Sequence, residues 1–533
     1  MNAPRVLPVG DAAVSVVLGD AADPSVGRRV RAMGGALASN PFDGFIEAVP
    51  GSTSLLVLFE PSRADPEGVL AAVRRALGSA PDASPAGALH VVPTLYGGDA
   101  GPDLADVARA TGLSEGEVVA LHAGTEYTAE MLGFMPGFAY LGPLARELEV
   151  PRRATPRTLV RRGSIAIANR QTGIYPGDSP GGWNLIGRTS LTLFDPYAES
   201  PSLIHAGDRV RFTPVDALED APARPVPEGL VGRAVLEIVD GGLLTTVQDL
   251  GRFGLRRLGV PTAGAMDAAA LLAANAAVGN PADAAGLECT LAGPLILFLA
   301  PARFALAGAD LGAVLDRSDL GPWNVPLERP VLARPGSVLR FRGRRSGCRA
   351  FVAFAGGLDV PVVLGSRSTD LVSRFGGLGG RPLRAGDRLA LGAPAGGGHP
   401  SSGRARDSHP TTVEARVVLG PQTGAFEPAA VERLLAEAWG VTSASDRVGL
   451  RLAGPSLRPR TQGAGVSEGL LFGSIEVPPD GQPIVMMADA PTTGGYPRIA
   501  TVVTTDLPLL AQLVPGEGHV RFEAVDTEPR LAQ

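Results

Sequence analysis

The chain has 533 residues, 45% of them hydrophobic and 19% charged, which is the balance of a globular protein with several cores. The net charge is -6 and no basic block is long enough to follow a phosphate backbone, so the pattern argues against nucleic-acid binding. The sequence contains no lysine, because all 48 basic residues are arginine. It therefore offers no amine for a Schiff base, for covalent biotin or for a Walker A loop.

Composition also bears on fold and location. With 70 glycines and 48 prolines but only 5% aromatic residues, the chain predicts many tight turns between short strands, in three or four domains. Cys289 and Cys348 lack the spacing and the neighbouring histidines of a zinc site, so we predict no metal site and no disulfide framework. The N-terminus lacks a signal pattern and the apolar runs are too short to span a bilayer. We therefore expect a cytoplasmic protein with no membrane partner.

The N-terminal region, assigned to residues 1–87, predicts a small α+β sandwich. Apolar alternation and helical periodicity give six elements in the order βαββαβ. The predicted strands are Ala13–Leu18, Phe45–Val49, Leu55–Phe59 and Leu89–Leu95, and the predicted helices are Pro24–Ala38 and Pro66–Leu77. Two helices on one face of a four-stranded sheet bury a core of their own, which supports a separate domain.

Residues 88–215 predict a β-barrel. A helix begins at Ser114, where Glu117 three positions later predicts a capping box, and it ends near His122. Short apolar runs between Gly and Pro turns then continue to Phe212, a pattern typical of a small barrel or sandwich. Residues 216–230 are rich in Pro, Ala and acidic residues and are predicted to link the two halves.

The second half predicts two barrel-like subdomains, residues 231–395 and 413–533. Between them, residues 396–412 contain three consecutive glycines, two prolines and several serines, which predicts a flexible connection. A helix in the first subdomain starts at Asp267, a typical N-cap, and stops at Gly279, a typical C-terminal glycine.

A similar sequence motif occurs in each half of the chain. Gln171–Pro176 reads QTGIYP and Thr492–Pro497 reads TTGGYP. The motif Gly-Ser-Ile precedes each copy, at Gly163 and at Gly473, and a Val-Arg-Phe string closes each copy, at Phe212 and at Phe522. Self-similarity in a fixed order predicts two related β modules, one in each half, which would build one cleft between them.

Several residues and loops are candidates for chemistry, and each has a structural alternative. The loop Gly133–Gly142 suits an apolar floor for a ligand or a packed β-bulge, and the paired Gly181 and Gly182 suit an anion site or a turn. His122 has the titration range of an acid/base group, although a histidine at a helix end more often has a structural role. Asp489 and Gln248 are candidates for ligand binding or for satisfying turn backbone.

Longer strings resemble a known pair of proteins. The segment from Arg5 to Phe212 resembles the B-type component of 5-oxoprolinase, also called KipI or allophanate hydrolase subunit 1, through His122, Gly133–Gly142, Pro151–Arg153, Gln171–Pro176 and Ser179–Trp183. From about Leu243 onward the chain resembles the C-type component, or KipA, through Leu244–Arg252, Gly264–Asp267, Gly420–Gln422, Ser467–Gly469 and Thr493–Pro497. The resemblance covers nearly the whole chain and implies a fusion of the two components.

The resemblance implies a mainly β protein with α+β character, in which the N-terminal sandwich is followed by cyclophilin-like β-barrel modules. It implies the fused B–C component of an ATP-dependent 5-oxoprolinase, which opens pyroglutamate to glutamate with a separate A-type subunit. ATP with Mg²⁺ is the expected cofactor, none is expected to be covalently bound, and homo-oligomerisation is left open. Two alternatives remain. One is a carboxyltransferase that receives carboxybiotin from another chain and acts on a urea-like amide, and the other is an inhibitor of a sensor histidine kinase.

The site hypothesis is a polar cleft between the halves that binds a small amide or lactam. His122 and Asp489 are the predicted catalytic residues. The predicted substrate-binding residues are Gln171, Tyr175, Gly181, Gly182, Gln248, Tyr496 and Arg498. The family commonly has Gln and Lys where Pro491 and Arg498 stand here, so Arg498 is expected to act as a fixed cation that anchors an anion.

Overall fold

The computed structural model describes residues 3–19, 23–79, 87–219, 232–317, 319–394, 408–460 and 465–526. Four modules follow one another along the chain: a sheet with two helices, a closed barrel, a pair of facing sheets and a second closed barrel. The expected class, mainly β with α+β character, is confirmed. Much of the predicted linker 216–230 and of the predicted connection 396–412 lies outside the described residues.

The first module is a four-stranded antiparallel sheet with two helices on one face. The strands are β1 (Arg5–Val9), β2 (Ala13–Val17), β3 (Phe45–Pro50) and β4 (Ser54–Phe59), in the order β1-β2-β4-β3, and the helices are α1 (Pro24–Ser39) and α2 (Pro66–Ser79). The predicted order βαββαβ was wrong at both ends. Pro8 lies in β1, where it is tolerated because β1 is an edge strand, and the strand at Leu89 belongs to the next module.

The second module is a seven-stranded closed barrel. Its strands close in the order β5-β12-β9-β10-β7-β6-β13, and β8 pairs with β11 in a separate two-stranded ribbon. The capping box predicted at Ser114 is confirmed, because the Glu117 carboxylate accepts from the Ser114 N–H at 2.8 Å. The elements are β5 (Leu89–Tyr96), α3 (Leu104–Thr111), α4 (Glu115–Ala123), β6 (Glu126–Leu132), β7 (Ala139–Gly142), β8 (Arg157–Val160), β9 (Ser164–Ala168), β10 (Gln171–Ile174), β11 (Ser179–Gly181), β12 (Asn184–Arg188) and β13 (Arg209–Pro214).

The third module consists of two sheets that share one apolar core, so within its described residues it is a sandwich and not a closed barrel. The six-stranded sheet has the order β20-β19-β22-β17-β14-β24 and the five-stranded sheet the order β15-β16-β23-β18-β21. The helix predicted from Asp267 to Gly279 is confirmed as α5 (Ala268–Val278). The strands are β14 (Ala234–Asp240), β15 (Leu244–Gln248), β16 (Gly286–Thr290), β17 (Leu295–Phe298), β18 (Ala302–Asp310), β19 (Ala313–Arg317), β20 (Gly321–Asn324), β21 (Val331–Ala333), β22 (Val338–Phe341), β23 (Ser346–Phe354) and β24 (Arg388–Ala390).

The fourth module is a second seven-stranded barrel, closed in the order β25-β32-β29-β30-β27-β26-β33, with a ribbon of β28 and β31. Its elements are β25 (Thr412–Leu419), α6 (Pro428–Ala436), β26 (Ala438–Val441), β27 (Gly449–Ala453), β28 (Glu468–Gly469), β29 (Ser474–Glu476), β30 (Ile484–Met486), β31 (Thr493–Gly494), β32 (Arg498–Val502), α7 (Leu507–Ala511) and β33 (His519–Ala524).

The two barrels have the same topology, strand for strand. β5, β12, β9, β10, β7, β6 and β13 occupy the places of β25, β32, β29, β30, β27, β26 and β33, and each barrel closes with a parallel pair of six residues. The Gly-Ser-Ile strings open the equivalent strands β9 and β29, and the Val-Arg-Phe strings lie in β13 and β33. The predicted kinship of the two modules is therefore confirmed.

The similar motifs QTGIYP and TTGGYP, however, lie at positions that are not equivalent in the two barrels. Gln171–Ile174 is β10, which corresponds to β30, whereas Thr493–Gly494 is β31, which corresponds to β11. The counterpart of TTGGYP is therefore Ser179–Asn184, and the two segments share a Gly-Gly-aromatic string. Strand register supports this alignment. Leu185 pairs with Ala166 in the first barrel, and Arg498 pairs with Glu476 at the equivalent positions of the second barrel.

The ribbon of β28 and β31 is one of the places where the two halves meet, and we call it the junction ribbon. Its β31 strand lies so close to the first barrel that a Cβ on Gly133 would stand 2.0 Å from Oγ1 of Thr493. Its β28 side touches the first module, where the Ser52 N–H donates to the Ser467 carbonyl at 3.1 Å. Glycine at position 133 is thus required by close approach of the two halves.

We predict that Gly133→Ala destabilises the protein, because the added methyl overlaps three atoms of Thr493 and not merely the end of a flexible side chain. The expected cost is about 1–3 kcal/mol in the free energy of unfolding. Thermal or denaturant unfolding measures it. The matched control is Gly116→Ala in α4, where nothing lies within 4 Å of the new Cβ and the helix gains propensity. Equal stability of the two variants would contradict the prediction.

Candidate functional site

His122 lies inside the first barrel. Its Nδ1 is 2.7 Å from the Tyr96 hydroxyl, its Nε2 is 2.9 Å from Oγ1 of Thr172, and its ring packs 4.4 Å from that of Phe212. The side chain is fully buried, and burial lowers the pKa of His122 to about 3. The imidazole is therefore neutral at physiological pH, with both ring nitrogens engaged. Its catalytic role stays a prediction that this position does not favour.

Gln171 and Tyr175 face the opposite side of the same wall. Successive side chains alternate between the two faces of a strand, so Thr172 points to the barrel interior while Gln171 points outward. Gln171 is half-buried and its Nε2 donates to Glu130 at 3.1 Å. Tyr175 is buried in an outer aromatic cluster. The strand therefore separates His122 from these two predicted substrate-binding residues.

The outer aromatic cluster of the first barrel lies against the junction ribbon. It contains Met131, Met135, Phe138, Tyr140, Val160, Ala166, Ala168, Tyr175, Trp183 and Leu185. Gly181 is needed beside it, because a Cβ there would stand 2.4 Å from the Tyr175 hydroxyl. The neighbouring Gly182 has more room, with its closest neighbour in Pro156 at 3.6 Å. The main chain of Trp183 hydrogen-bonds the Tyr175 hydroxyl, while burial raises the pKa of Tyr175 to about 12.

A cluster of hydroxyl groups joins the first barrel to the ribbon. The Tyr140 hydroxyl hydrogen-bonds the side chains of Thr493 and Ser467, and burial raises the pKa of Tyr140. Thr493 Oγ1 also accepts from the Phe134 N–H at 3.0 Å. The exposed guanidinium of Arg152 interacts electrostatically with Tyr140 and with Tyr175. Neutral hydroxyl donors beside an arginine suit a ligand with a carboxylate and an amide carbonyl.

Arg498 lies behind the ribbon, in a buried cluster of charges. Its Nη2 is 3.6 Å from Glu468 and its Nη1 donates to the Gly469 carbonyl at 3.1 Å. Glu476, also buried, interacts with the same guanidinium, and burial raises the pKa of Glu476 to about 7. Gln422 completes the cluster, since its Nε2 donates to Glu468 at 3.1 Å and its Oε1 accepts from the Arg498 N–H at 2.7 Å. Arg498 therefore pairs with the protein's own carboxylates.

Asp489 belongs to another buried network, which ties the third module to the second barrel. Its two carboxylate oxygens each accept from Arg447 at 2.9 Å, and Arg447 also bonds Glu288 and the Gly264 carbonyl. Burial raises the pKa of Asp489 to about 6 although Arg447 opposes that shift. Both oxygens are engaged, so a structural role fits this geometry better than acid/base work.

Gln248 and Tyr496 are the remaining predicted residues. Gln248 is fully buried in the third module, where its Nε2 donates to Thr246 at 3.0 Å and to the Thr369 carbonyl at 3.2 Å. Tyr496 is 39% exposed beside the junction ribbon. The structure thus brings Tyr175 and the TTGGYP segment together around Tyr140. It places His122, Gln248 and Asp489 elsewhere.

The sequence alone did not identify several residues around the junction ribbon as site residues, because no recognisable motif marks them. Tyr140 and Arg152 appeared only inside longer strings, and Ser467, Glu468 and Glu476 were not singled out as site residues. One signal was available for Glu476. It directly follows the Gly-Ser-Ile string whose counterpart in the first barrel is followed by Ala166, and a buried carboxylate in place of alanine indicates specialisation of one copy.

The described residues contain neither a metal-binding cluster nor a membrane-spanning helix. No group of three or more His, Cys, Asp or Glu side chains in the described ranges is arranged to hold a metal ion. Among the helices that the structure describes, none is both long and apolar enough to cross a membrane.

Family models match both halves of the chain. The model for "Carboxyltransferase domain, subdomain C and D" matches residues 4–204, and the model for "Carboxyltransferase domain, subdomain A and B" matches residues 258–524. The first match ends within the first barrel module, and the second includes the junction ribbon. Each half of the junction described above therefore lies within a matched segment.

Known relatives divide the chain in the same way. The B-type 5-oxoprolinase component of Escherichia coli O157:H7 is 40% identical over 214 residues, which cover 40% of this chain and 97% of the relative. The C-type 5-oxoprolinase component of Escherichia coli K12 is 40% identical over 284 residues, which cover 53% of this chain and 89% of that relative. The crystal structure of TTHA0988 is 36% identical with a TM-score of 0.84, and the match covers 96% of this chain and 99% of that one.

We predict that His122→Ala lowers stability and leaves turnover per folded molecule unchanged. The substitution removes two buried hydrogen-bond partners and leaves a void beside Phe212, a loss of about 2–4 kcal/mol. Thermal unfolding and turnover normalised to folded protein measure the two effects. The exposed His519→Ala serves as control. If His122→Ala lost turnover while its stability stayed that of the wild type, the result would support the predicted catalytic role of His122.

We predict that Glu476→Gln stabilises the protein more at pH 8 than at pH 5. The folded pKa of about 7 exceeds the ordinary value of 4.5, so folding retains a proton and the wild type loses stability as pH rises through this window. Glutamine carries no charge and avoids that loss, so the difference in unfolding free energy grows by about 1–3 kcal/mol.

Unfolding of the wild type and of Glu476→Gln at pH 5, 6, 7 and 8 measures this difference, with the exposed Glu523→Gln as control. Other groups titrate in both proteins and largely cancel. A difference that does not change with pH would show that Glu476 is ionised throughout.

Proposed function

This chain belongs to the carboxyltransferase-domain family as a fusion of 5-oxoprolinase B-like and C-like segments, and we propose that it is the fused B–C component of an ATP-dependent 5-oxoprolinase. In this proposal a separate A-type subunit completes the enzyme, which hydrolyses the lactam C–N bond of 5-oxoproline to give glutamate. Cytoplasmic location remains part of the same proposal.

The observation that carries the proposal is the contact between Tyr140 of the B-like segment and Thr493 and Ser467 of the C-like segment. Segments similar to two separately named proteins build one polar cluster here, at the edge of a buried aromatic face. A site that needs both segments explains why they would be joined in one chain.

We assign substrate binding to this junction. Arg152 is the proposed anchor for the carboxylate of 5-oxoproline, because its guanidinium is exposed and lies near the Tyr140 and Tyr175 hydroxyls. Those hydroxyls are the proposed donors to the lactam carbonyl, whose oxygen gains negative charge when its carbon is attacked. This replaces Arg498 as the anion anchor, since Arg498 is buried and bonded to Glu468 and Gly469.

The residues of the junction do not suit Mg²⁺-ATP. Mg²⁺ is usually bound by carboxylates together with phosphate oxygens, whereas the groups that face Arg152 are neutral hydroxyls. We therefore derive no step through ATP on this chain and assign ATP binding to the A-type partner. The role of this chain is then to bind and orient the lactam.

A second candidate function is carboxyl transfer from carboxybiotin to a urea-like amide. The description of both matching family models favours it. Because the chain has no lysine, the biotin would arrive on another protein. A biotinylated carrier protein that copurifies with this chain and supports carboxylation of urea would favour this function over lactam opening.

We predict 5-oxoproline-dependent release of ADP when the chain is mixed with an A-type subunit, and none when either component is left out. Arg152→Gln should raise the KM for 5-oxoproline at least tenfold, since it removes a charged hydrogen bond worth about 1.5–3 kcal/mol. The exposed Arg146→Gln is the control. An unchanged KM in Arg152→Gln would contradict the proposed role of Arg152 in binding the carboxylate. Absence of turnover with any A-type subunit would contradict the proposed 5-oxoprolinase function.

A further inference from the structure

The first barrel has its own counterpart of the junction ribbon, the pair β8 and β11, which we call the open ribbon. Pro180 of the open ribbon occupies the place of Thr493, because Ser179–Asn184 corresponds to the TTGGYP segment. Thr493 is 3% exposed, since it lies against the first barrel, whereas Pro180 is exposed. Thr158 and Leu159 of β8 are exposed as well. The same element is therefore buried between modules in one barrel and lies at the surface in the other.

Arginine surrounds this exposed surface. Between residues 150 and 194 the sequence has one acidic residue, Asp178, although the whole chain has a net charge of -6. The same stretch contains seven arginines, which are Arg152, Arg153, Arg157, Arg161, Arg162, Arg170 and Arg188. Such a local surplus of positive charge favours a partner with a negative surface.

Pairing within the chain leaves part of this charge unbalanced. Asp178 lies 3.1 Å from Arg161 and also accepts from the Arg162 N–H at 2.8 Å. The guanidinium of Arg162 donates to the Thr192 hydroxyl at 2.7 Å, and Nε of Arg188 donates to the Arg162 carbonyl at 3.2 Å. Hydroxyl and carbonyl groups carry no charge, so these two arginines keep the surface positive.

The carboxylates that contact this stretch are fewer than its arginines. The buried Asp103 is shared by Arg153 and Arg157, each at 2.7 Å. Glu130 interacts electrostatically with Arg170. Together with Asp178, these carboxylates balance three of the seven positive charges, so a surplus remains on and around the open ribbon.

The open ribbon also adjoins the proposed lactam site. A Cβ on Gly181 of β11 would stand 2.4 Å from the Tyr175 hydroxyl, and Arg157 of β8 interacts electrostatically with Tyr175. A protein seated on the ribbon would therefore lie beside the proposed donors to the lactam. The A-type partner needs such a position, because ATP bound on that partner has to reach the lactam.

We propose that the open ribbon is the docking surface for the A-type partner, which binds it through carboxylates that face the arginines and an apolar centre that faces Leu159 and Pro180. The identity of this partner rests on the proposed function. Protein interfaces commonly combine an apolar centre with a polar rim, and complementary charge speeds encounter and fixes orientation. The open ribbon then does between chains what the junction ribbon does between the halves of this chain.

Binding of the full chain to an immobilised A-type subunit, measured by biolayer interferometry at about 50 mM and about 300 mM salt, tests the proposal. Arg161→Glu combined with Arg162→Glu should weaken binding about tenfold at the lower salt concentration, and less at the higher one, since salt screens exposed charges. The matched control is Arg303→Glu combined with Arg329→Glu, which changes two exposed arginines of the third module and should leave binding as in the wild type.

A second variant tests the apolar centre without removing an arginine. Leu159 is 47% exposed, so Leu159→Asp should fold, and it should weaken binding about fivefold. Leu320→Asp, at an exposed leucine of the third module, is its control.

The outcomes separate the docking surface from the proposed function. Full affinity in both open-ribbon variants would overturn the docking surface and leave the function standing. Binding that depends on the ribbon, without 5-oxoproline-dependent release of ADP, would support the docking surface and contradict the function. No binding by the wild type would overturn both. If Leu159→Asp dissociated a dimer of the chain alone, or if the double arginine variant lost bound nucleic acid, the ribbon would serve another occupant and the proposal would be overturned.

Discussion

The seating of the junction ribbon between the two halves is the constraint on which the rest of the structure depends. A two-stranded ribbon has little core of its own, so it must be held by its neighbours. Tyr140 and the Phe134 N–H hold it from the first barrel, and the Ser52 N–H holds it from the first module. Gly133 makes this approach possible because no side chain stands between it and Thr493. The proposed lactam site lies against this ribbon.

The two barrels have diverged in where they place buried charge around their ribbons. In the first barrel Asp103 pairs with Arg153 and Arg157, and in the second Arg498 pairs with Glu468. Leu185 and Ala166 of the first barrel are an apolar pair, and the equivalent Arg498 and Glu476 of the second barrel are an ionisable pair. Each ribbon keeps a glycine against a polar group. A Cβ on Gly181 would meet the Tyr175 hydroxyl at 2.4 Å, and a Cβ on Gly494 would meet the Glu476 carboxylate at 2.3 Å. A buried charge cluster contributes little net stability, so its value lies in fixing the ribbon and the position of Glu468.

Much of the fold could be predicted from the sequence, because periodicity, turn residues and helix caps are local signals. The helix capped by Asp267 and the strings that open β9 and β29 are examples. The strand at Leu89 was assigned to the wrong sheet, since its partner Arg209 lies far along the chain and strand pairing is not a local property. The site was less predictable for the same reason. Whether Gln171 or Thr172 points into the barrel depends on strand register, and the sequence did not show that Glu468 and Glu476 lie beside Arg498.

The central claim is that the two halves form one functional unit through the junction ribbon. The most direct test is to divide the chain between residues 219 and 232, coexpress the halves and measure their dissociation constant by titration. Thr493→Val removes the acceptor for the Phe134 N–H and a partner of Tyr140, while Thr412→Val on the exposed end of β25 is the control. We expect the halves to bind one another and Thr493→Val to weaken binding about tenfold. Halves that do not associate, or that bind equally well with and without Thr493→Val, would contradict the account.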